Sequence, residues 1–190
     1  TGAGALLGQG IFKGMQYTGS LKRHHIGFAD PSPTAAGLYW SQSSHIVPLA
    51  MDPEYIDKII EIIKKENYRI LIPGTDVELP IIARNLELIE SSTNCKVIIS
   101  NQKVIDIAND KYLTFKFLDN FNFNPPKSCL PKSFETFSKS TSFPYIVKPR
   151  DGARSVGIYL VKNESDLKIA LKKSKNPLIQ EYIPDIKGEY

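Results

Sequence analysis

The sequence predicts an α/β protein in two parts: a parallel sheet covered by helices, followed by a smaller α+β unit. Three observations lead to this prediction. Short β-prone runs alternate with helical segments in the first half of the 190 residues. A glycine-rich turn, Thr1-Gly2-Ala-Gly4, opens the chain and is typical of a strand-to-helix connection. The second half groups its predicted strands around one helix and a glycine-containing hairpin.

The first part, residues 1–105, is predicted to alternate strands and helices. Helices are expected at 11–19, 53–67 and 76–90, and strands at 24–29, 45–49, 69–72 and 95–99. The clearest helix is 53–67, whose apolar residues recur at helical spacing: Tyr55, Ile56, Ile59, Ile60 and Ile63. Asp52 stands before Pro53, so we expect Asp52 to be the N-cap and the proline to be the first helical residue.

The second part, residues 106–190, is predicted to be a small α+β unit. Helices are expected at 110–119 and 164–173, an extended segment up to Leu130, and strands at 145–147, 156–161 and 178–183. The loop 152–157 joins the first two of these three strands, so we expect it to be a hairpin tip.

Composition excludes several classes of protein. Hydrophobic residues make up 42% and charged residues 23% of the chain, which is ordinary for a globular protein. The net charge of +4 is spread along the chain, which argues against nucleic-acid binding. No apolar run reaches the length of a membrane span. The two cysteines, Cys95 and Cys129, have no metal-site spacing, and a buried Cys95 thiol would fit a reducing, cytoplasmic compartment.

Residues near the end of the chain have the chemistry of a phosphate site. Lys148 ends an apolar strand, where an unpaired charge is costly, and therefore predicts an anionic partner. The small basic loop from Gly152 to Gly157 can wrap phosphate oxygens with backbone N–H groups and Arg154. Glu181 lies inside a predicted strand, where a buried carboxylate needs hydrogen-bond donors.

These residues, in this order, resemble the ATP-grasp superfamily, and in particular the large subunit of carbamoyl phosphate synthase. Asn109-Asp110-Lys111 is similar to the Asp-Lys that opens the family's ATP-binding region. The segment 73–79, Pro-Gly-Thr-Asp-Val-Glu-Leu, is similar to a turn of the preceding domain. The resemblance implies a Rossmann-like pre-ATP-grasp domain at 1–105 and the N-terminal, lid part of an ATP-grasp domain at 106–190, with the C-terminal part absent.

The resemblance also implies an ATP-dependent ligase that activates a carboxylate or bicarbonate as an acyl phosphate for attack by an amine. Its cofactors would be ATP and Mg²⁺, and the implied nucleotide-binding residues are Lys111, Lys148, Gly152, Arg154, Ser155, Gly157, Gln180, Glu181, Ile183 and Glu189. Lys111 and Lys148 would hold phosphates, 180–183 would contact adenine, and Glu189 would accept from ribose hydroxyls. Metal ligands are expected beyond the chain end, catalytic residues are not identified, and this fragment alone is expected to be inactive, because both ends look cut.

Two alternatives remain open at the level of sequence. The glycines at 2, 4, 8 and 10 suggest a dinucleotide turn with Asp30 as the ribose acid, hence an NAD-dependent oxidoreductase or epimerase. Leu7 stands where that fingerprint has its third glycine, so a tight strand-to-helix turn without nucleotide explains the glycines as well. The other alternative is a non-catalytic nucleotide-binding module.

Asp76 and Glu78 are candidates for either substrate contact or helix capping. Small-molecule substrates are the expected partners, without nucleic acid or membrane, and a homodimer is one oligomeric state that the resemblance allows.

Overall fold

The structure is a computed structural model that describes residues 1–152 and 156–184. It divides into one unit from Thr1 to Ile105 and a second that begins at Asp106. The first unit contains helices α1 (Leu6–Tyr17), α2 (Tyr55–Glu66), α3 (Leu79–Arg84) and α4 (Leu86–Ser92), and strands β1 (Gly27–Asp30), β2 (Ser43–Ile46), β3 (Ile70–Leu71) and β4 (Lys96–Val97). Short 3-10 helices lie at Ser20–Lys22 and Ala36–Tyr39, and helix α5 (Gln102–Asn109) spans the boundary between the units.

The strands of the first unit form two parallel pairs, β1 with β2 and β3 with β4. The first three residues of the chain hydrogen-bond to both pairs. The amino group of Thr1 donates to the Ile72 carbonyl at 3.0 Å, and the Ala3 N–H donates to the Ala29 carbonyl at 3.4 Å. The predicted α/β class with parallel pairing is therefore confirmed.

Helix α2 provides the largest part of the core of the first unit. Its periodic apolar residues pack against β3, β4, α3 and α4, and its buried side chains are Tyr55, Ile56, Ile59, Ile60, Ile62 and Ile63. Burying one such side chain is worth about 1.5–3 kcal/mol, so this one face accounts for much of the unit's stability. The helix ends at Asn67, whose left-handed φ of 54° is a conformation that asparagine tolerates.

Several predicted boundaries in the first unit were wrong. Helix α2 begins at Tyr55 rather than at Pro53, and Asp52 instead accepts the N–H of Glu54 in a turn before the helix. The single helix expected at 76–90 is two helices that meet at Asn85, whose side-chain amide donates to the Ile81 carbonyl at 2.9 Å. Asparagine side chains that bond nearby carbonyls favour such helix breaks. The helix α5 was not predicted at all.

The second unit is built on an antiparallel sheet. Its strands are β5 (Ser128–Cys129), β6 (Tyr145–Pro149), β7 (Tyr159–Val161) and β8 (Pro177–Glu181), in the spatial order β5-β8-β6-β7. Its helices are α6 (Lys111–Asn120), α7 (Phe134–Phe137) and α8 (Glu164–Lys173), with a 3-10 helix at Pro131–Ser133. Because β6 pairs antiparallel with β7, the predicted hairpin is confirmed, although β7 begins later than expected, at Tyr159.

The two faces of this sheet differ in chemistry. Side chains alternate between faces along a strand. One face carries Tyr145, Val147 and Ile179, which pack with Leu167 and Ala170 of α8 into a buried core. The opposite face of β6 and β8 carries Lys148 and Gln180 among its residues, so these two polar side chains project away from that core.

Among residues 1–152 and 156–184, no helix is long and apolar enough to cross a membrane.

Candidate functional site

Lys148 is the central charged group of the second unit. It lies in β6 opposite Leu178 of β8, and its side chain is half-buried. Its ammonium group donates a 2.7 Å hydrogen bond to Oε1 of Gln180. The position at the end of an apolar strand, predicted from the sequence, is therefore correct, and the strand holds this ammonium group against a neutral acceptor.

The Gln180 amide continues the network away from the lysine. Its Nε2 donates to Oγ of Ser128 at 2.9 Å, and the Ser128 hydroxyl donates to the Pro126 carbonyl at 3.0 Å. Lys148 thus belongs to a chain of hydrogen bonds across β6, β8 and β5, which fixes its direction. Sequence reasoning missed Ser128, because its link to Gln180 spans 52 residues and leaves no local signal.

Lys111 lies close to the hairpin loop at the start of α6. Its ammonium group donates to the Gly152 carbonyl at 2.8 Å and lies 3.4 Å from the Arg150 carbonyl. Its backbone N–H also donates to that Arg150 carbonyl, at 2.9 Å. The structure therefore brings the Asp-Lys segment, identified by its resemblance, to the strand end that carries Lys148.

Asp110 links the start of α6 to the residue that follows β6. Its carboxylate caps α6 by accepting the N–H groups of Tyr112 and Leu113, and it pairs through both oxygens with the guanidinium group of Arg150. Partial burial alone would raise the pKa of Asp110, but the Arg150 and backbone hydrogen bonds hold it below its usual value. Arg150 also stacks over the Tyr112 ring, 5.6 Å from its centre. Arg150 was not predicted; the only sequence signal was its place directly after Lys148-Pro149.

The two lysines make this region electropositive. Desolvation lowers the pKa of Lys148, and repulsion from the neighbouring Lys111 ammonium lowers it further. Within residues 1–152 and 156–184, no carboxylate oxygen lies within 4.0 Å of either ammonium group. A half-buried cation with a like-charged neighbour and no anionic partner is costly, so an anion binding here would relieve that cost.

The described part of the hairpin tip is open and contains two left-handed glycines. Gly152 has φ +100° and Gly157 has φ +76°. A side chain at Gly157 would be strained by its φ and would also approach the Pro149 ring at 3.2 Å. The predicted site residues Arg154 and Ser155 lie outside the described residues.

Glu181 differs from its sequence-based interpretation. It was expected to be a buried carboxylate, but it is half-buried, at the end of β8. Its Oε1 accepts the Lys127 N–H at 2.7 Å, and its own N–H donates to the Lys127 carbonyl at 2.9 Å. The Lys127 N–H is therefore the hydrogen-bond donor that this carboxylate needs, and the two bonds connect the start of β5 to the end of β8. The next predicted site residue, Ile183, is 60% exposed just beyond the strand, and Glu189 lies outside the described residues.

The opening glycine turn of the first unit has its own explanation. Asp30 is buried and accepts the N–H of Gly4 at 2.8 Å and that of Ser32 at 2.9 Å. A Cβ on Gly8 would collide with the carbonyl of Gly2, so helix α1 packs directly on the turn. Both the acid and the glycines are therefore accounted for by a tight strand-to-helix turn.

Glu78 also has a structural explanation. It is buried and accepts three hydroxyl donors, from Thr1 at 2.8 Å, Thr75 at 2.8 Å and Tyr55 at 2.7 Å. Burial raises the pKa of the Tyr55 hydroxyl, and the adjacent Glu78 charge raises it further. This carboxylate joins α2, the 72–79 turn and the start of the chain, so Glu78 organises the first unit from within.

No cluster of three or more histidine, cysteine, aspartate or glutamate side chains suited to a metal ion occurs in the described part of the chain.

Family models match both units in order. A PylC-like, N-terminal domain matches residues 12–98, and an ATP-grasp domain matches residues 108–188. The ATP-grasp resemblance predicted from the sequence is therefore confirmed by a match to residues 108–188.

Several known enzymes resemble the chain in sequence or in fold. It is 27% identical over 143 residues to the D-alanine–D-alanine ligase of Petrotoga mobilis, covering 70% of this chain and 43% of that protein. The N5-carboxyaminoimidazole synthetase of Staphylococcus aureus, solved with ADP, matches 95% of this chain and 46% of its own, with a TM-score of 0.70 and 18% identity. A biotin carboxylase domain dimer from Hydrogenobacter thermophilus, solved with MgADP, ADP and bicarbonate, matches 83% of this chain and 38% of its own, with a TM-score of 0.63 and 17% identity.

At these identities the two solved structures establish the fold alone. The chain spans less than half the length of the curated relatives it matches.

Proposed function

We propose that this chain is the ATP-binding part of an ATP-grasp ligase, with residues 1–105 as its pre-ATP-grasp domain and the residues from 106 onward as the lid part of its ATP-binding domain. ATP would supply the phosphoryl group that turns a carboxylate or bicarbonate into an acyl phosphate, which an amine then attacks. The relatives named above support this ligase chemistry. The small-molecule carboxylate and amine are its proposed partners.

The observation that carries this proposal is the pair of ammonium groups at the end of β6. Lys148 is half-buried, its pKa is lowered by burial and by Lys111, and no carboxylate oxygen of the described residues lies within 4.0 Å of either ammonium group. The phosphates of a nucleoside triphosphate are negatively charged and would pair with these two ammonium groups, so the residues fit the ligand. Lys148 would hold phosphate oxygens in a direction set by Gln180.

The surrounding residues have supporting roles in this proposal. Lys111 would bind phosphate in exchange for its contact with the Gly152 carbonyl, and the loop from Gly152 to Gly157, with Arg154 and Ser155, would close over the phosphates. Gln180 to Ile183 would contact adenine through main-chain groups and through the Glu181 oxygen that does not accept from Lys127. Glu189 would bind ribose. Clamping of the transferring phosphoryl group by cations is the principal catalytic contribution expected of such a site.

Magnesium ligands do not come from a carboxylate cluster in the described residues. Mg²⁺ is proposed to bind together with the nucleotide; the biotin carboxylase domain named above was solved with MgADP. A cytoplasmic location is part of the same proposal, because both cysteines are free and buried. A homodimer remains a prediction.

Chemical labelling tests the site directly. The chain would be acetylated at pH 8 with and without millimolar MgATP, and labelling at each lysine would be followed by mass spectrometry. Lys148, whose pKa is lowered, should react faster than the exposed Lys172 of α8 without nucleotide and should be protected by MgATP, whereas Lys172 should be unaffected. Equal labelling of Lys148 with and without nucleotide at saturating concentration would overturn the assignment of this site.

An isotope experiment on the full-length protein tests the reaction class. With an ¹⁸O-labelled carboxylate substrate and an amine, an acyl phosphate route transfers one substrate oxygen to the released phosphate and yields ADP. Release of AMP and pyrophosphate would instead contradict the proposed chemistry while leaving nucleotide binding intact. A non-catalytic module would bind the nucleotide and release neither product.

A further inference from the structure

Asp110 and Arg150 form a two-pronged ion pair between the start of α6 and the residue that follows β6. The guanidinium Nε donates to Oδ1 of Asp110 at 3.1 Å, and Nη2 pairs with Oδ2. The side chains of Arg150 and Asp110 are only 22% and 23% exposed. A bidentate pair that is largely shielded from water is more directional than a surface ion pair. We call this pair the α6–β6 clamp.

The clamp joins the two segments that carry the phosphate-site lysines. Lys111 directly follows Asp110 in the sequence, and Lys148 lies two residues before Arg150. The backbone is fixed at the same point, because the N–H of Lys111 donates to the Arg150 carbonyl at 2.9 Å and the N–H of Arg150 donates to the Asn176 carbonyl at 3.0 Å. The separation of the two lysines therefore depends on a contact between residues 40 positions apart in the sequence.

Both members of the clamp already have partners within the fold. Oδ1 of Asp110 also accepts the N–H groups of Tyr112 and Leu113. The guanidinium group of Arg150 lies over the Tyr112 ring, 5.6 Å from its centre. A phosphate close to Arg150 would be repelled by the Asp110 carboxylate, so Arg150 is poorly suited to bind phosphate directly.

The distance between the two ammonium groups has a measurable consequence. The Lys111 charge lowers the pKa of Lys148, and this repulsion weakens as the two charges move apart. The Lys111 ammonium group is held beside the clamp by the Gly152 carbonyl at 2.8 Å and lies 3.4 Å from the Arg150 carbonyl. The reactivity of Lys148 therefore reports whether Lys111 is held in place.

We propose that Asp110 and Arg150 are positioning residues for nucleotide binding: the clamp sets the spacing of the Lys111 and Lys148 ammonium groups, and neither member of the clamp touches the phosphates. The identity of the ligand rests on the proposed function, whereas the spacing of the two lysines does not. Cations that are already placed side by side bind phosphate more tightly than cations that must be ordered during binding.

A direct role for Arg150 makes the opposite prediction for one substitution. If Arg150 bound phosphate itself, Asp110→Asn would free the guanidinium group and tighten MgATP binding. If the clamp positions the lysines, Asp110→Asn and Arg150→Gln both weaken binding. Asparagine keeps an oxygen that can cap α6, so Asp110→Asn removes the ion pair and preserves the start of the helix.

The first measurement is the dissociation constant of MgATP, by calorimetry, in the full-length protein with Asp110→Asn, Arg150→Gln or both. Each single variant should bind about tenfold more weakly, the lower end of the losses found when a residue that orients a metal ligand is replaced. The double variant should be no weaker than the more affected single variant, because either change breaks the same clamp. Arg150→Lys keeps the charge without the bidentate pair and should be intermediate. The matched control, Glu61→Gln, removes an exposed ion pair with Lys58 on α2 and should bind like the wild type.

The second measurement is acetylation of Lys148 without nucleotide over a range of pH. Each clamp variant should shift the labelling profile to higher pH, as should Lys111→Met, because loss of a nearby cation raises the pKa of Lys148 toward its ordinary value. Urea unfolding verifies that every variant is folded. A clamp that only stabilises the fold would lower the unfolding midpoint and move neither the labelling profile nor the dissociation constant.

Three results would overturn the proposal: tighter MgATP binding by Asp110→Asn, additive losses in the double variant, or an unchanged Lys148 labelling profile in both single variants. Failure of the proposed function is a separate result, in which MgATP does not protect Lys148 of the wild type from acetylation. The labelling profiles without nucleotide would then still decide whether the clamp spaces the two lysines.

Discussion

Replacing Lys148 with methionine in the full-length protein should reduce ATP-dependent turnover without weakening the fold. Methionine keeps the approximate length of the side chain but removes the charge that we assign to the phosphates. Removing one such group costs about 2–4 kcal/mol of transition-state stabilisation. Because Lys148 is half-buried rather than fully enclosed, we expect the lower part of this range, about 2–3 kcal/mol, which is roughly a 30- to 150-fold loss in rate.

The same substitution should not lower the free energy of unfolding. Burial and Lys111 both lower the pKa of Lys148, so its charged form is less favourable in the folded state than in the unfolded state at neutral pH. Losing the charge should therefore leave the free energy of unfolding unchanged or increase it, since the half-buried Gln180 amide can accept from water instead.

The assays are initial rates of phosphate release and urea unfolding, with Lys148→Arg and Lys172→Met alongside. The arginine variant keeps the charge and should recover part of the rate, and the Lys172 variant should match the wild type, because that side chain is exposed on α8. A Lys148→Met protein that turns over ATP normally but unfolds at lower urea concentration would refute the reasoning, since it would make this lysine a structural group.

Four further predictions follow from the contacts described above. Tyr55→Phe removes one of three donors to the buried Glu78 carboxylate and should cost about 1.5–3 kcal/mol in urea unfolding; no loss would mean that water replaces the hydroxyl. NAD or NADP should leave the melting temperature unchanged, whereas a saturable rise would revive the oxidoreductase alternative. The pKa of Asp110 is depressed in the fold, so its pairing with Arg150 stabilises above the unfolded pKa and is lost as pH falls through the folded value; Asp110→Asn should flatten this acid limb of the stability curve. Burial raises the pKa of Cys129 to about 11, so thiol reagents at pH 8 should label it only after unfolding.

Helices α2 and α8 and the β6–β7 hairpin were predicted because each has a recognisable pattern within its own segment of the sequence. The apolar periodicity of α2 is fixed by its own sequence. Helix α8 was predicted with its observed bounds, and the structure shows that Asn163 caps it by accepting the N–H of Asp166. The antiparallel β6–β7 hairpin followed from two β-prone runs around a glycine-containing loop. In each case the predictive pattern is contained in one short stretch of the sequence.

Other errors came from contacts that join distant residues. Glu181 was expected to need a ligand because its partner, the N–H of Lys127, lies 54 residues away in the sequence. The Gln180–Ser128 bond and the Asp110–Arg150 pair were missed for the same reason. The residue types near Lys148 were recognisable from the sequence through a family resemblance, but the orientation of each side chain depends on the pairing of β5, β8 and β6.

The hydrogen-bond chain through Gln180 has a definite polarity that constrains which residue this position can tolerate. Lys148 can only donate and the Ser128 proton is committed to Pro126, so residue 180 must offer one oxygen on one side and one N–H on the other. A glutamate has almost the same shape, yet it would lack that N–H and would form an internal ion pair with the lysine. Such a residue would neutralise the positive field in advance and compete with any incoming anion. The neutral amide thus keeps the lysine aligned while leaving its charge available.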